Sequence, residues 1–237
     1  MRLKRISLLL LSVIILVSFS NTIEANAMNT GFKTNHLETE EKTLFISNAN
    51  ILLIDAEPAK KSITCFDVNS NRLIAIGQDT LDRKTICIYS SEGVFQYGYT
   101  FSCSGDFGVE WDEENLNIYF VRSNMIASVT PSGEILDVFE VQNTAENNSY
   151  VNHFIHSTER IIDGTKYYIE NNMGILNLFV PAYSQIITED TVGARSVIYD
   201  VSSAQLSSVL TTVGIVSVFV VIAILAIVWQ FIKLKHK

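Results

Sequence analysis

Cysteine and proline are scarce in this chain, and each scarcity excludes something. There are three cysteines, Cys65, Cys87 and Cys103, and no C-x-x-C pair. A small secreted module stapled by disulfides carries more, usually an even number, so that class is excluded. Three free thiols acting as small apolar side chains are the preferred state; one disulfide with a leftover thiol is the alternative. Three prolines leave no room for a proline-rich linker or collagen-like tract. No G-x-S-x-G elbow, H-E-x-x-H pair, phosphate loop or G-x-G-x-x-G turn occurs, so no local catalytic or nucleotide-binding motif is present.

Positive charge is also scarce outside the two ends. Between Met28 and Ser208 stand 11 Lys and Arg against 24 Asp and Glu, a formal charge of −13, whereas the whole chain is −8. The difference is the six bases at the termini less the one acid there, Glu24. A surface this acidic repels phosphate backbones, which argues against nucleic acid as a partner.

Those terminal bases flank apolar runs. Arg2, Lys4 and Arg5 precede the run Ile6 to Val17, and small and polar residues follow, ending Ala25-Asn26-Ala27. This pattern predicts a secretory signal peptide over residues 1–27, cleaved after Ala27. The far end is longer: Val209 to Trp229 holds no charged residue, and 14 of its positions are Val, Leu, Ile or Phe. Twenty-one residues at ~1.5 Å each make ~31 Å, the thickness of a hydrocarbon core. A transmembrane helix is expected over 209–232, with Trp229 at the interface. The bases Lys233, Lys235 and Lys237 in the tail 233–237 place that tail in the cytoplasm by the positive-inside rule. The expected arrangement is a single-pass protein of the cell membrane with its main domain outside. Residues 28–42 read as an N-terminal segment, 43–201 as the extracellular domain and 202–208 as a juxtamembrane linker.

Within the domain, short runs rich in Ile, Val, Phe and Tyr alternate with Asn, Ser, Asp and Gly, as in SITCFD (62–67), RLIAIG (72–77), TICIY (85–89) and VFQYGYTF (94–101). These are strand signals, and no long 3.6-residue periodicity precedes the membrane helix. Two further runs fall in 43–55, and others at 165–170, 175–180 and 184–188. The pattern repeats. Tyr89-Ser90-Ser91-Glu92-Gly93-Val94-Phe95 aligns with Val129-Thr130-Pro131-Ser132-Gly133-Glu134-Ile135, 40 residues on. Asn69 to Leu73 aligns with Asp112 to Leu116 at an offset of 43, the difference being assigned to the loop Gln78 to Lys84. A third copy sets Phe179-Val180-Pro181 against Val129-Thr130-Pro131, 50 residues on.

A period near 40 residues built from four short strands is a blade-like repeat. The polar turn and strand Asp112 to Phe120 (DEENLNIYF), followed by the hairpin Ser132-Gly133-Glu134-Ile135, resembles the degenerate TolB-like and NHL-like β-propeller repeats. The resemblance covers Ser62 to Val141. It implies an all-β, propeller-like stack of three to four four-stranded blades, as a small ring or an open stack.

Candidate sites are few. Asp67-Val68-Asn69-Ser70-Asn71 begins like a calcium loop, but Arg72 and Gln78 stand where Gly and Glu are needed, so it reads as a turn. The acidic run Asp106, Glu110, Asp112, Glu113 and Glu114 also falls at a turn. His153 and His156 would share a helical face, yet their surroundings look strand-like. Phe95, Tyr97, Tyr99 and Phe101 alternate, which puts four rings on one strand face. Buried, they are core; exposed, they are a platform for a sugar or peptide. The expected function is a non-catalytic binding, scaffold or sensor module for an extracellular protein or glycan, with no cofactor. The alternative is a metal-dependent propeller enzyme, lactonase- or lyase-like, whose carboxylates converge on a central axis.

Overall fold

A computed structural model describes residues 28–80, 83–180 and 182–235. The leader expected over 1–27, with its cleavage point, lies outside the described residues. The chain enters through β1 (Thr34–His36), α1 (Thr39–Ala49) and β2 (Leu52–Ile54). A first meander follows: β3 (Ile63–Val68), β4 (Ile74–Asp79), β5 (Lys84–Tyr89) and β6 (Phe95–Phe101). The second comprises β7 (Phe107–Asp112), β8 (Asn115–Phe120), β9 (Met125–Val129) and β10 (Ile135–Val141). After α2 (Ala145–Tyr150), which runs into a π-helical turn at Val151–Ile155, comes the third: β11 (Glu159–Ile162), β12 (Thr165–Glu170), β13 (Gln185–Glu189) and β14 (Arg195–Asp200). The last element is α3 (Ser202–Lys235).

Each meander is one antiparallel sheet. β2 adds to the outer edge of the first through β6, and β1 adds to the second through β10, making sheets of five, five and four strands. The first sheet lies between the other two, which explains its sequence. Ala75, Ile86 and Ile88 pack against Val109, Leu116, Ile118 and Ala127 of the second sheet. Ile74, Ile76, Cys87 and Tyr89 pack against Tyr167, Ile169, Ile186 and Tyr199 of the third. RLIAIG and TICIY are continuous apolar runs because their sheet has no wet face. The outward face of the second sheet is covered by Phe32, Tyr150, Val151, Phe154 and Ile155. Cys65, Cys87 and Cys103 are all free thiols, the first two buried. Burial pushes the Cys65 and Cys87 thiols up to about 12, so both stay protonated and unreactive.

The 40-residue repeat is structural. Ser90 N–H donates to Val94 O at 2.9 Å and Gly93 N–H to Ser90 O at 3.0 Å; Thr130, Glu134 and Gly133 repeat the pattern at 2.9 Å for both bonds. Gly93 and Gly133 sit at φ 76° and 85°. The third copy corrects the expected alignment. Its equivalent hairpin is Asp190–Ala194, with Gly193 at φ 84°, so the offset is 60 and not 50 at this hairpin, while β11 and β12 keep the offset of 50 from β7 and β8. The extra residues form a 3-10 turn at Gly174–Phe179, where a strand was expected. Asn177 makes that turn: its Oδ1 accepts from Met173 N–H and its Nδ2 donates to Asn171 O. The three-residue difference between the first two copies is also shared out. Val68 pairs with Ile74 and Ile74 with Tyr89, while Trp111 pairs with Leu116 and Leu116 with Val129. One extra residue lies in the first turn and two in the β4–β5 hairpin.

Two helices also depart from the expected readings. The first apolar run of 43–55 lies in α1, with Glu40 and Glu41 in its first turn, a capping box between Glu38 and Glu41, and Asn50 closing it in the left-handed region. It lacks an apolar stripe because only Ala49 is fully buried, while Phe45 meets Phe120 edge-on at 4.9 Å. The segment 202–208, expected to be a linker, forms the first two turns of α3. Val201 N–H donates to Ser184 O, Ser202 N–H to Asp200 Oδ1 at 2.7 Å, and the buried Gln205 donates Nε2–H to Ala182 O at 2.9 Å. The helix is therefore fastened to the third sheet. From Ser202 to Leu225 it is long and apolar enough to cross a membrane.

The repeat predicts the response of its turns. A Cβ on Gly93 would meet Ile198 O at 2.6 Å, and one on Gly133 would meet Leu53 Cβ at 3.0 Å. Gly93→Val and Gly133→Val should each lower stability by about 1 kcal/mol or more, with Gly93→Val the worse because a backbone oxygen cannot swing aside. Denaturant midpoints of the full chain in detergent would show this. A neutral result at either position would mean that the two hairpins are not equivalent.

Candidate functional site

The first strands of the three meanders come together: β3 lies beside β7, and β11 touches β3. Strand register decides what meets there. Glu110 stands two residues before the end of β7 and Arg160 two before the end of β11, each strand leading into a two-residue turn. Through the Val68 and Trp111 equivalence, Asp67 takes the same place on β3. The three copies thus contribute an acid, an acid and a base to one axial position.

All three side chains are buried. Arg160 Nε donates to Asp67 Oδ1 at 2.6 Å, and Trp111 N–H donates to Asp67 Oδ2 at 2.8 Å. The remaining guanidinium donors reach Glu159 O and Phe154 O at 2.9 and 2.8 Å. The Arg160 plane also lies over the Phe154 ring at 4.4 Å. Glu110 is held separately. Its Oε1 accepts from Gly31 N–H at 3.0 Å and from Tyr150 OH at 2.5 Å; its Oε2 accepts from Thr30 OH at 2.6 Å. Burial pushes both carboxyls above their ordinary range. Arg160 and the Trp111 N–H pull Asp67 back, and for Glu110 three donors oppose the burial while Asp67 adds repulsion.

Two cavities flank this cluster. One, about 500 Å³, opens at the start of β3 and β7 and is lined by Ser62, Thr64, Asp79, Lys84, Asp106 and His156 among others. The other, about 660 Å³ and more open, lies between β11 and the ends of β3 and β7, beside Asp67, Trp111 and Arg160. Lys84 and Asp79 pair at 2.5 Å in the first.

The expected site residues divide. A β-bulge at Ile88/Tyr89 breaks the alternation of the four rings, because Tyr89 opposes Phe95 while Ile88 opposes Tyr97. Phe95 turns to Tyr89 and the third sheet, whereas Tyr97, Tyr99 and Phe101 face the second. Four rings on one face is thus corrected to three and one. Tyr99 and Phe101 are buried core, with Tyr99 OH donating to Thr130 O at 2.7 Å, so no exposed aromatic platform is formed. Asn69 caps its own turn, accepting from Leu73 N–H at 2.8 Å. His153 bonds Ser149 O on its π-helical turn, while His156 lines the 500 Å³ cavity. Among the described residues, no group of three or more His, Cys, Asp and Glu is placed to hold a metal.

Arg160, Thr30 and Tyr150 escaped the sequence reading. Asp67 and Glu110 carried a signal, since an offset of 43 superimposes them, and each is a charge inside an apolar strand. No family model, curated protein or solved structure matches the chain.

The axial cluster makes two predictions. Arg160→Met strands Asp67 in the interior and should cost about 3–5 kcal/mol in a denaturant titration. The second concerns pH. A carboxyl whose folded pKa is raised contributes stability that is complete below its unfolded value, ~4.3 for Glu, and is lost as pH rises through the folded value. Glu110→Gln keeps all three contacts, with Nε2 donating to Thr30 Oγ1, but cannot titrate. Between pH 7 and pH 5 the wild type should therefore gain stability relative to Glu110→Gln. A constant or falling difference would overturn the assignment.

Proposed function

We propose that this chain is a membrane-anchored binding module, displayed outside the cell, whose body is a propeller-like stack of three blades left open on one side. On this reading the three meanders are the blades, β3, β7 and β11 line the axis, and the TolB-like and NHL-like resemblance reflects that plan. The module holds an extracellular protein or glycan at the axial mouth formed by Ser62, Thr64, Asp79, Lys84, Asp106 and His156. The observation carrying this reading is the state of the axial carboxylates. A metal-dependent lactonase- or lyase-like site needs several carboxylates aimed at one ion. Here Asp67 is committed to Arg160 and Trp111, and Glu110 to Thr30, Gly31 and Tyr150. They brace the sheets and leave the mouth lined by hydroxyls, one ion pair, the single further carboxylate of Asp106 and an imidazole, which suits recognition.

The placement rests on charge. Basic residues at 2, 4 and 5 precede the first apolar run, and Lys233, Lys235 and Lys237 follow the second. An impermeant thiol reagent on intact cells should label a cysteine introduced at Ser132 but not one at His236, and the reverse pattern would reverse the topology. Binding is tested by screening the detergent-solubilised chain against glycan and peptide arrays. A hit that disappears in Lys84→Glu and survives in Arg122→Gln supports the mouth. Stoichiometric metal in the purified chain, together with hydrolysis of a lactone, would favour the enzyme instead.

A further inference from the structure

The junction between the third sheet and α3 holds a pocket of about 380 Å³, walled by Lys60, Lys61 and Ser62 on one side and by Val201, Gln205, Ser208 and Val209 on the other. Its level relative to a membrane follows from the helix. α3 begins at Ser202, and the apolar run begins at Val209. Seven residues at ~1.5 Å rise span ~10 Å. The polar layer on each side of a ~30 Å hydrocarbon core is ~5–8 Å deep. The pocket therefore lies at headgroup depth, its lower wall reaching the first apolar residue.

Charge in the pocket runs against the domain. Among the described residues, eight of the eleven bases in this −13 body have a carboxylate within 4 Å. Lys60 is one of them, fixed by Glu57 at 3.6 Å and lying over the Tyr89 and Tyr199 rings. Lys61 is pinned only through its backbone: its N–H donates to Tyr199 OH at 3.0 Å, and its carbonyl accepts from that hydroxyl at 2.7 Å. Its ammonium meets no carboxylate among the described residues. Gln205, 7% exposed and tethered through Nε2, stands in the same wall with its Oε1 closed off from solvent. The pocket thus offers a cation, the hydroxyls of Ser62 and Ser208, and an apolar exit along α3.

We infer that this pocket takes the headgroup of an anionic glycerophospholipid, its phosphate against Lys61 and Lys60, its headgroup hydroxyl toward Ser62 and Ser208 and its acyl chains along α3 from Val209. The inference rests on α3 spanning a membrane.

The test uses the full chain in nanodiscs of phosphatidylcholine alone or with phosphatidylglycerol. Lys61 should be acylated several-fold more slowly in the phosphatidylglycerol discs, with Lys33 unchanged as the internal control. Spin-labelled phosphatidylglycerol should show an immobilised fraction that falls to the phosphatidylcholine level in Lys61→Gln and persists in Arg122→Gln. Equal Lys61 reactivity in both discs, or an immobilised fraction untouched by Lys61→Gln, overturns the site. Protection by inorganic phosphate alone in phosphatidylcholine discs would assign it to a free anion and likewise overturn the lipid. A chain that does not co-purify with discs at all fails at the anchor, which separates that failure from the others.

Discussion

One guanidinium ties the three sheets together. Arg160 on β11 reaches Asp67 on β3, and Asp67 in turn takes the N–H of Trp111 on β7. Burying both charges costs several kcal/mol per ion, and the attraction between them roughly offsets that cost. The pair therefore contributes less to net stability than to arrangement. An apolar axis would let the sheets slide, whereas one acid and one base with fixed donors permit a single register. Glu110, equivalent in position, performs a related task at the other side of the stack. It gathers Thr30, Gly31 and Tyr150, and so draws the N-terminal segment and α2 onto the outward face of the second sheet.

Three antiparallel sheets must also deal with their edges, because an unpaired strand invites pairing with other chains. The N-terminal segment serves here. β1 covers β10, α1 crosses the rim, and β2 covers β6, so two of the three outer edges carry an extra short strand from the same stretch. The outward face of the third sheet is mixed: Lys166 pairs with Glu159 and Arg195 with Glu189 around Tyr168, and Ile161 and Val197 stand exposed beside them. That face is solvated where the corresponding face of the second sheet is buried.

Continuity of α3 with the third sheet bears on what the span transmits. A helix capped by Asp200 and tethered at Gln205 moves with its sheet, whereas a flexible linker would let the body swing. Within the apolar run, Thr211, Thr212 and Ser217 donate to the carbonyls of Ser207, Ser208 and Val213. Their hydroxyls are thereby satisfied inside the helix, as a lipid environment requires.

Local chemistry was enough to determine some of this from the chain alone. An uncharged run of 21 mostly aliphatic residues matches a spanning helix in length and composition, and Gly93 and Gly133 mark hairpins because glycine takes positive φ at no steric cost. The short runs of β-branched and aromatic residues could form little but strands. What depended on distant neighbours was not legible. Phe95 leaves the face of Tyr97 only because a bulge is set by pairing with β5. ILNLFV becomes a turn because Asn177 finds backbone partners, and TLFISNA becomes a helix whose one packed ring, Phe45, waits on Phe120. The axial site shows the division most clearly. Asp67 and Glu110 align in sequence at an offset of 43, and Arg160 follows Glu110 by the 50 residues of the third copy, but nothing in the chain marks the three as neighbours in space. A buried charge declares its partner through space, and β11 lies more than 90 residues from β3 along the chain.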